Sequence, residues 1–369
     1  MFFLARSLHF GGAERQLVAL ARGLKQQGHA VSVVIFYGGG EFEAELTTAG
    51  IPLINLNKTG RWDVLPFLYR LVRVLINAQP TLLHSYLTVP NLLTILLKPL
   101  LPRTRIVWGV RASNMDLSRY DRLSRLSYRL ECLASRYADA VIANSTAGKH
   151  YAIANGFRAN TLTVIPNGID SQRFRFNAQA RQAQRANWGI ADTELVIGIA
   201  ARLDPMKGHG NFIAAARLLQ NTPAQLRFVC IGDGAAAYAA ALKQQANDLG
   251  DRLIWAGACA DMVAAYSAID IAVSASAFGE GFSNTIAEAM ACERPCVVTD
   301  VGDSAWIIGD TGILVAAADA AQLAHGLQHL LGLSAAERDA QGKRARQRVE
   351  QEFAVAQLVA RTTHTLGLS

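Results

Sequence analysis

Glu280 and Glu288 stand on either side of a short run that begins in a loop of small and aromatic residues, Phe278-Gly279-Glu280-Gly281-Phe282-Ser283. From Asn284 the pattern turns helical, and Ser283 has the side chain of an N-cap. A bare-backbone loop that feeds a helix N-terminus suits an anion, because unpaired N–H groups and the helix dipole both point at it. A carboxylate one or two turns further on can accept hydrogen bonds from sugar hydroxyls. Phosphate and ribose together suggest a nucleotide, although an ordinary loop–helix junction would carry the same glycines. The remaining chain has to decide between the two.

Arg202 and Lys207 lie in a loop directly after an apolar strand-like run. Set against the loop at 279–283, they would neutralise a diphosphate, Arg by holding two oxygens and Lys as a point charge. Standing alone, they would be two solvated loop charges. Gly11-Gly12 after the first strand lacks the three-glycine dinucleotide fingerprint. It reads either as a tight strand-to-helix turn or as a close backbone approach to substrate by Gly12. His84 is expected at a strand end, where a lone histidine is more often structural than chemical; His9 and His209 flank glycine loops and could reach a cleft. No Asp-x-Asp motif or clustered set of His, Asp and Glu ligands is present, so no metal site is expected. There is no Gly-x-Ser-x-Gly elbow, and no aromatic–basic interleaving of the kind that lines single-strand nucleic-acid grooves. Nucleic acid is therefore not an expected partner.

These residues need a scaffold, and apolar strand-like runs alternate with helical patterns along the whole chain. Strands are expected at 2–5, 30–36, 51–56, 81–85, 105–110, 138–143 and 162–165. Pro166-Asn167-Gly168-Ile169-Asp170 then breaks the pattern, and a polar, arginine-bearing segment runs to 187. Alternation restarts with strands at 195–201, 226–231, 253–256, 271–274, 296–299 and 312–315, and helices at 319–331 and 335–366. This predicts an α/β chain of two parallel-sheet domains, 1–167 and 168–352, each sheet covered on both faces. The glycines fall just after strands, where open α/β sheets bind ligands.

A chain of 369 residues with 51% apolar content has core enough for two domains. Its five scattered cysteines read as reduced core residues of a cytosolic protein. No secretory signal is visible, and Met1 runs straight into a strand, which suggests a natural start slightly upstream. No run of 18 apolar residues exists. The net charge of +7 is uneven: residues 1–165 hold 19 Lys and Arg against 9 Asp and Glu, and residues 166–369 hold 17 against 20. A helix expected at 118–136 carries Arg119, Arg122, Arg125, Arg129 and Arg136 on one face, with Leu123, Leu126, Leu130 and Leu133 as an opposing apolar stripe. The arginine face is either solvated or docks on anionic lipid headgroups.

With these residues assembled, the chain resembles glycosyltransferase family 4, the retaining group 1 enzymes of GT-B fold, over essentially its whole length. The resemblance rests on Gly11-Gly12-Ala13-Glu14, Asn144-Ser145, Pro166-Asn167-Gly168-Ile169-Asp170, Arg202 with Lys207-Gly208, Gly232-Asp233-Gly234, and above all Glu280-Gly281-Phe282-Ser283 through Glu288. It implies two Rossmann-like doubly wound domains facing across a cleft, with the last helix, 353–369, joined to the first domain. It also implies a nucleotide-sugar donor, UDP-linked, and no further cofactor. Arg202 and Lys207 would bind the diphosphate and Glu280 the donor sugar. Gly12, Gly281, Phe282, Ser283 and Asn284 would line the donor, and Glu288 would hold the ribose. His84, Arg111 and Asn144 are the acceptor-side candidates. Many relatives carry a histidine just after the 105–110 strand; this chain has Val110-Arg111-Ala112-Ser113, and Arg111 is expected to take over in orienting donor or acceptor.

The expected function is metal-independent retaining transfer to a glycan or lipid-linked acceptor, in the cytoplasm on the inner face of the membrane. A GT-B nucleotide-sugar epimerase would instead yield a changed sugar nucleotide with no acceptor. A non-catalytic sugar-nucleotide binding protein would show binding without turnover.

Overall fold

The computed structural model describes residues 1–60, 62–111, 121–220, 222 and 225–368. The chain divides into two compact units, one formed by Met1–Gly168 with Val355–Ser369 and the other by Ile169–Ala354.

The first unit holds a seven-stranded parallel sheet of β1 (Phe2–Ala5), β2 (Ser32–Ile35), β3 (Leu53–Asn55), β4 (Leu82–Tyr86), β5 (Arg105–Val110), β6 (Ala140–Ala143) and β7 (Leu162–Val164), in the order β3-β2-β1-β4-β5-β6-β7. Successive residues of β1 point to opposite faces: Phe3 and Ala5 join one core and Leu4 the other. Helices α1 (Gly12–Gln26) and α2 (Glu43–Thr48) cover the first face, joined by the last helix of the chain, Val355–Leu366. Helices α3 (Leu65–Ala78), α4 (Thr88–Leu97), α5 (Arg122–Ala134) and α6 (Thr146–Ala154) cover the second.

The second unit holds a six-stranded parallel sheet of β8 (Leu195–Ala200), β9 (Leu226–Ile231), β10 (Leu253–Gly257), β11 (Ile271–Ser274), β12 (Cys296–Thr299) and β13 (Ile313–Val315), in the order β10-β9-β8-β11-β12-β13. Its helices are α7 (Ala178–Asn187), α8 (His209–Leu218), α9 (Ala236–Gln245), α10 (Met262–Ala268), α11 (Asn284–Ala291), α12 (Ser304–Ile308), α13 (Ala320–Gly332) and α14 (Ala335–Glu352); Val355–Leu366 is α15. A doubly wound sheet in this order has its ligand crevice where the winding reverses, here between β8 and β11.

Four expectations differ from the structure. Residues 178–187, read only as a polar segment, form α7: Asn177 caps it by accepting from Ala180 N, and its inward residues are arginines, Arg181 and Arg185, which pair with Asp270 at 2.7 and 3.3 Å. The single helix expected over 335–366 is two. The break falls at Phe353 and Ala354, where Phe353 packs edge-on against Phe282 and Trp306 and its carbonyl accepts from Ile169 N at 2.7 Å. The arginine helix starts at Arg122, with Asp121 as N-cap; its expected start at 118–120, including Arg119, lies outside the described residues. Its leucine stripe faces outward. Lastly, all five cysteines are free, but Cys259 is only partly buried.

Candidate functional site

The loops that follow β8 and β11 meet at the switch point of the second unit. After β8 the chain makes one tight helical turn, Pro205–Lys207, which Asp204 caps by accepting from Met206 N at 2.9 Å. Gly208 ends this turn at φ 68°, and a Cβ there would sit 1.8 Å from the Ala275 carbonyl oxygen. Only glycine allows that approach. Ala277 N also donates to the Met206 carbonyl at 2.8 Å. Lys207 is thereby fixed against the loop after β11, where its ammonium donates to Glu280 Oε1. Ser276 Oγ donates to the same oxygen at 2.7 Å, and the Ser276 carbonyl accepts from Thr299 Oγ1 at 2.7 Å. Gly302 lies so close beneath Glu280 that a Cβ would come within 2.3 Å of the Glu280 carbonyl oxygen. Lys207, Ser274, Ser276, Glu280 and Thr285 line a cleft together with the last residues of β8.

Helix α11 opens at this cleft. Ser283 occupies its N-cap position without capping it: the hydroxyl lies 3.2 Å from Thr285 Oγ1, and no backbone N–H of the first turn donates to it. Phe282 is buried and packs edge-on against Phe353 at 5.2 Å, so its side chain anchors the loop. The carbonyl of Gly281 accepts from Asp303 N at 3.1 Å. Glu288 is buried one turn beyond Thr285 and accepts from Tyr266 Oη at 3.2 Å. Arg202 does not join Lys207 here. Its side chain is 67% exposed and pairs with Asp204 at 3.1 Å. His209, expected to reach a cleft, is fully buried at the start of α8 with neither ring nitrogen hydrogen-bonded; burial, aided by the Lys207 charge, pushes its pKa down to about 4.

In the first unit, Gly12 opens α1 behind an extended Gly11, over which the Glu14 carboxylate folds so closely that a Cβ on Gly11 would meet Glu14 Oε2 at 2.1 Å. Arg111 follows β5. Its guanidinium stacks on Tyr86 at 4.8 Å, donates to Tyr86 Oη at 3.0 Å and donates to Asn167 Oδ1 at 2.8 Å. His84 lies in the interior of β4 rather than at its end, packed between Phe3 and Tyr86 at centroid distances of 5.5 and 4.7 Å. Neither of its ring nitrogens has a partner, and burial, with the Arg111 charge acting in the same direction, pushes its pKa down to about 3. His84 thus supports Tyr86 from below and stays neutral. Asn144 is buried after β6, its Oδ1 3.5 Å from Ser145 Oγ, and makes no hydrogen bond to the Arg111 group. Ala112 and Ser113 lie outside the described residues.

Sequence reasoning missed Ser276, Thr285 and Tyr266. The first two are small polar residues within the motif itself and were open to notice; Tyr266 reaches Glu288 only through the packing of α10 on α11. Among the described residues, no group of three or more His, Cys, Asp or Glu side chains is arranged to hold a metal ion, and no helix is long and apolar enough to cross a membrane.

Two doubly wound parallel-sheet units of seven and six strands, with glycine-bearing loops at their carboxyl edges, define the GT-B class. HepE of Anabaena, crystallised with UDP, matches with a TM-score of 0.84 at 25% identity over 100% of this chain and 99% of that one. The descriptions Glycosyltransferase Family 4 and Glycosyl transferases group 1 match residues 10–173 and 194–332. The chain belongs to this family of group 1 glycosyltransferases. Similar curated proteins include the D-inositol 3-phosphate glycosyltransferase of Nocardia farcinica, 30% identical over 53% of this chain and 45% of that protein. The lipopolysaccharide core biosynthesis mannosyltransferase LpsB of Rhizobium meliloti is 30% identical over 50% of this chain and 53% of its own length. The chain thus spans about half the length of the curated relatives it matches.

Proposed function

We propose that this protein moves a sugar from a UDP-linked donor to a glycan or lipid-linked acceptor in the synthesis of a cell-surface polysaccharide or glycoconjugate, with the anomeric configuration retained. The observation that carries the reading is the convergence of Lys207, Glu280 and Ser276 beside the first turn of α11, at the switch point of the second unit. The UDP held by HepE and the lipopolysaccharide role named for LpsB support the choice of donor and product class.

On this reading the diphosphate displaces Glu280 from Lys207. The ammonium, the Arg202 guanidinium swung from Asp204, and the amides of Gly281 to Asn284 then hold its oxygens. Glu280 turns to the hydroxyls of the donor sugar, and Glu288 with Tyr266 receives the ribose hydroxyls. As the bond from the sugar's anomeric carbon to the β-phosphate oxygen breaks, its electron pair stays on that oxygen, where Lys207 and Arg202 stabilise the growing charge. The acceptor hydroxyl attacks from the same face and gives its proton to the departing phosphate. Protein cations carry the charge, with no metal ion and no cofactor beyond the donor. Arg111, fixed by Tyr86 and Asn167 over the buried His84, orients the acceptor, with Asn144 on the acceptor side, and Gly12 lines the donor.

Calorimetric titration with UDP, GDP and ADP, in the wild type and in Glu288→Ala, tests the donor assignment. UDP is expected to bind and to bind more weakly to the variant. Binding of none of the three, or binding that Glu288→Ala leaves unchanged, overturns it. Transfer from a UDP-sugar that yields the inverted anomer by NMR overturns the retaining mechanism, and a changed sugar nucleotide formed without acceptor identifies an epimerase.

A further inference from the structure

Leu87 follows β4 with φ 73° and ψ 166°. Glycine adopts that region freely, and a side chain there is strained. The surroundings impose the conformation. Leu87 N donates to the Gly109 carbonyl at 3.3 Å, and the Leu87 carbonyl accepts from Asn91 N at 3.0 Å. Thr88 Oγ1 and Asn91 Nδ2 each donate to the buried Glu131 carboxylate of α5 at 2.7 Å, and Ser85 Oγ donates to Asn91 Oδ1 at 2.7 Å. Glu131 thus clamps the first turn of α4, and with it the residue just before. The clamp accounts for the backbone but not for the leucine. Its side chain is 38% exposed and belongs to neither core of the first unit, so packing does not require it, and glycine would remove the strain. Strain kept without a packing gain points to function.

The place of Leu87 in the sheet supplies a reason. The winding of the first unit reverses between β1 and β4, so the loops after these two strands flank that unit's own ligand crevice. The loop after β4 presents Leu87, and the loop after β1 presents Phe10, whose side chain is 72% exposed. Phe10 is held as firmly as Leu87. Its N donates to Glu41 Oε2 at 3.0 Å, His9 Nδ1 lies 3.3 Å from the same oxygen, and its ring packs edge-on at 5.4 Å against the buried Phe42. The bare backbone of Gly11 and Gly12 follows directly. Arg111 stacks on Tyr86, the residue next to Leu87.

We infer that the β1–β4 switch point of the first unit is a subsite for a pyranose ring of the acceptor, with Leu87 and Phe10 as its apolar walls. A pyranose gathers C–H groups on the faces of its ring, and these lie well against a leucine side chain or the negative face of a phenyl ring. Its hydroxyls run around the rim, where a few polar groups suffice to fix orientation. Two rigidly held apolar side chains beside bare backbone offer that combination. An acceptor that presented only a phosphate would gain nothing from either wall. The inference rests on the transfer reaction proposed above and names the kind of ring that receives the sugar.

The test is saturation-transfer difference NMR of the full chain with methyl α-D-glucopyranoside, methyl α-D-mannopyranoside and methyl α-D-galactopyranoside. At least one is expected to bind, with the strongest transfer to its ring C–H protons. Leu87→Gly and Phe10→Ala should each weaken that binding by about fivefold. Leu87→Gly should also unfold at the same or a higher urea concentration than the wild type, because the strain is gone. UDP titrated by calorimetry should bind both variants as it binds the wild type, and Glu280→Gln should leave pyranoside binding unchanged. Failure of the wild type to bind any of the three, or wall variants that bind as the wild type does, would overturn the inference. So would a Leu87→Gly variant that unfolds at lower urea, since the leucine would then serve the fold, or pyranoside binding that only Glu280→Gln weakens, since the probe would then sit in the donor site. A wild type that binds a pyranoside through Leu87 and Phe10 but does not bind UDP supports the subsite and removes the donor assignment alone.

Discussion

Replacing Glu280 with Gln should tighten the binding of UDP while it slows transfer. The Glu280 carboxylate holds the Lys207 ammonium, and the two side chains are only 7% and 20% exposed, so solvent screens the pair far less than a surface ion pair. A diphosphate has to take Lys207 from Glu280. A hydrogen bond between charged groups contributes about 1.5–3 kcal/mol net, and one with a neutral partner roughly half of that. Glutamine can still accept from Lys207 but without the charge, so the competition weakens by about 1 kcal/mol and the Kd for UDP should fall roughly fivefold. Isothermal titration of UDP into wild type and Glu280→Gln at one ionic strength measures this directly. Titration of a UDP-sugar gives the contrast: its gain should be smaller or absent, because the same substitution removes a carboxylate from the sugar hydroxyls. Unchanged or weaker UDP binding by Glu280→Gln would refute the competition, and with it the exchange of Lys207 from carboxylate to phosphate.

Arg202→Ala should lower kcat by about a hundred- to a thousandfold with little change in thermal unfolding, since the side chain is largely exposed and its ion pair with Asp204 lies at the surface; near-normal turnover would remove Arg202 from the leaving-group assignment. Gly208→Ala should destabilise the second unit by about 1–3 kcal/mol from the backbone conformation alone and also weaken UDP, because the clash with Ala275 displaces Lys207; urea unfolding and calorimetry read the two effects. Acidification should destabilise the protein through its buried histidines. The unfolded chain protonates them near pH 6.5, whereas the native state resists until about 4 for His209 and about 3 for His84. Stability is therefore full above pH 6.5 and lost as pH falls toward those values, by about 1.4 kcal/mol per histidine per pH unit. His209→Leu and His84→Leu should each flatten the fall measured by urea titration at successive pH values.

The sheets were legible because parallel strands buried on both faces read as unbroken apolar runs: Phe2–Ala5, Arg105–Val110, Leu226–Ile231, Ile271–Ser274 and Cys296–Thr299 begin and end where their sequences predict. Lys207 and Glu280 could be paired from sequence because each follows a strand and strand ends share an edge of the sheet. Helix α7 could not be read, since its inward side chains are arginines whose acceptors, Asp270 and the Ala268 carbonyl, come from more than eighty positions along the chain. The leucines of α5 were read as a stripe opposing the arginines, without the side they would face, for a related reason. Period locates a stripe but not the side that faces the core, and here the core side belongs to a carboxylate that only Thr88 and Asn91 make tolerable. Arg202 showed the limit at the site: its position after β8 was legible, but its hold on Asp204 in place of the motif loop was set by local turn geometry.

The first unit is closed by α15, a helix that follows the whole second unit in the chain. Leu358, Val359 and Leu366 of α15 complete the core over α1, Val359 occupies the space a Cβ on Gly23 would need, and Arg105 donates to the Leu366 carbonyl at 2.7 Å. On the ribosome, residues 1–168 therefore emerge before the second unit yet wait with one apolar face bare until translation has passed 366. The second unit, contiguous from Ile169 to Ala354, has every segment it needs before then. Order of synthesis and order of completion run in opposite directions, so a stalled or clipped nascent chain ending near 354 would hold a finished second unit and an open first one, the form that chaperones would meet.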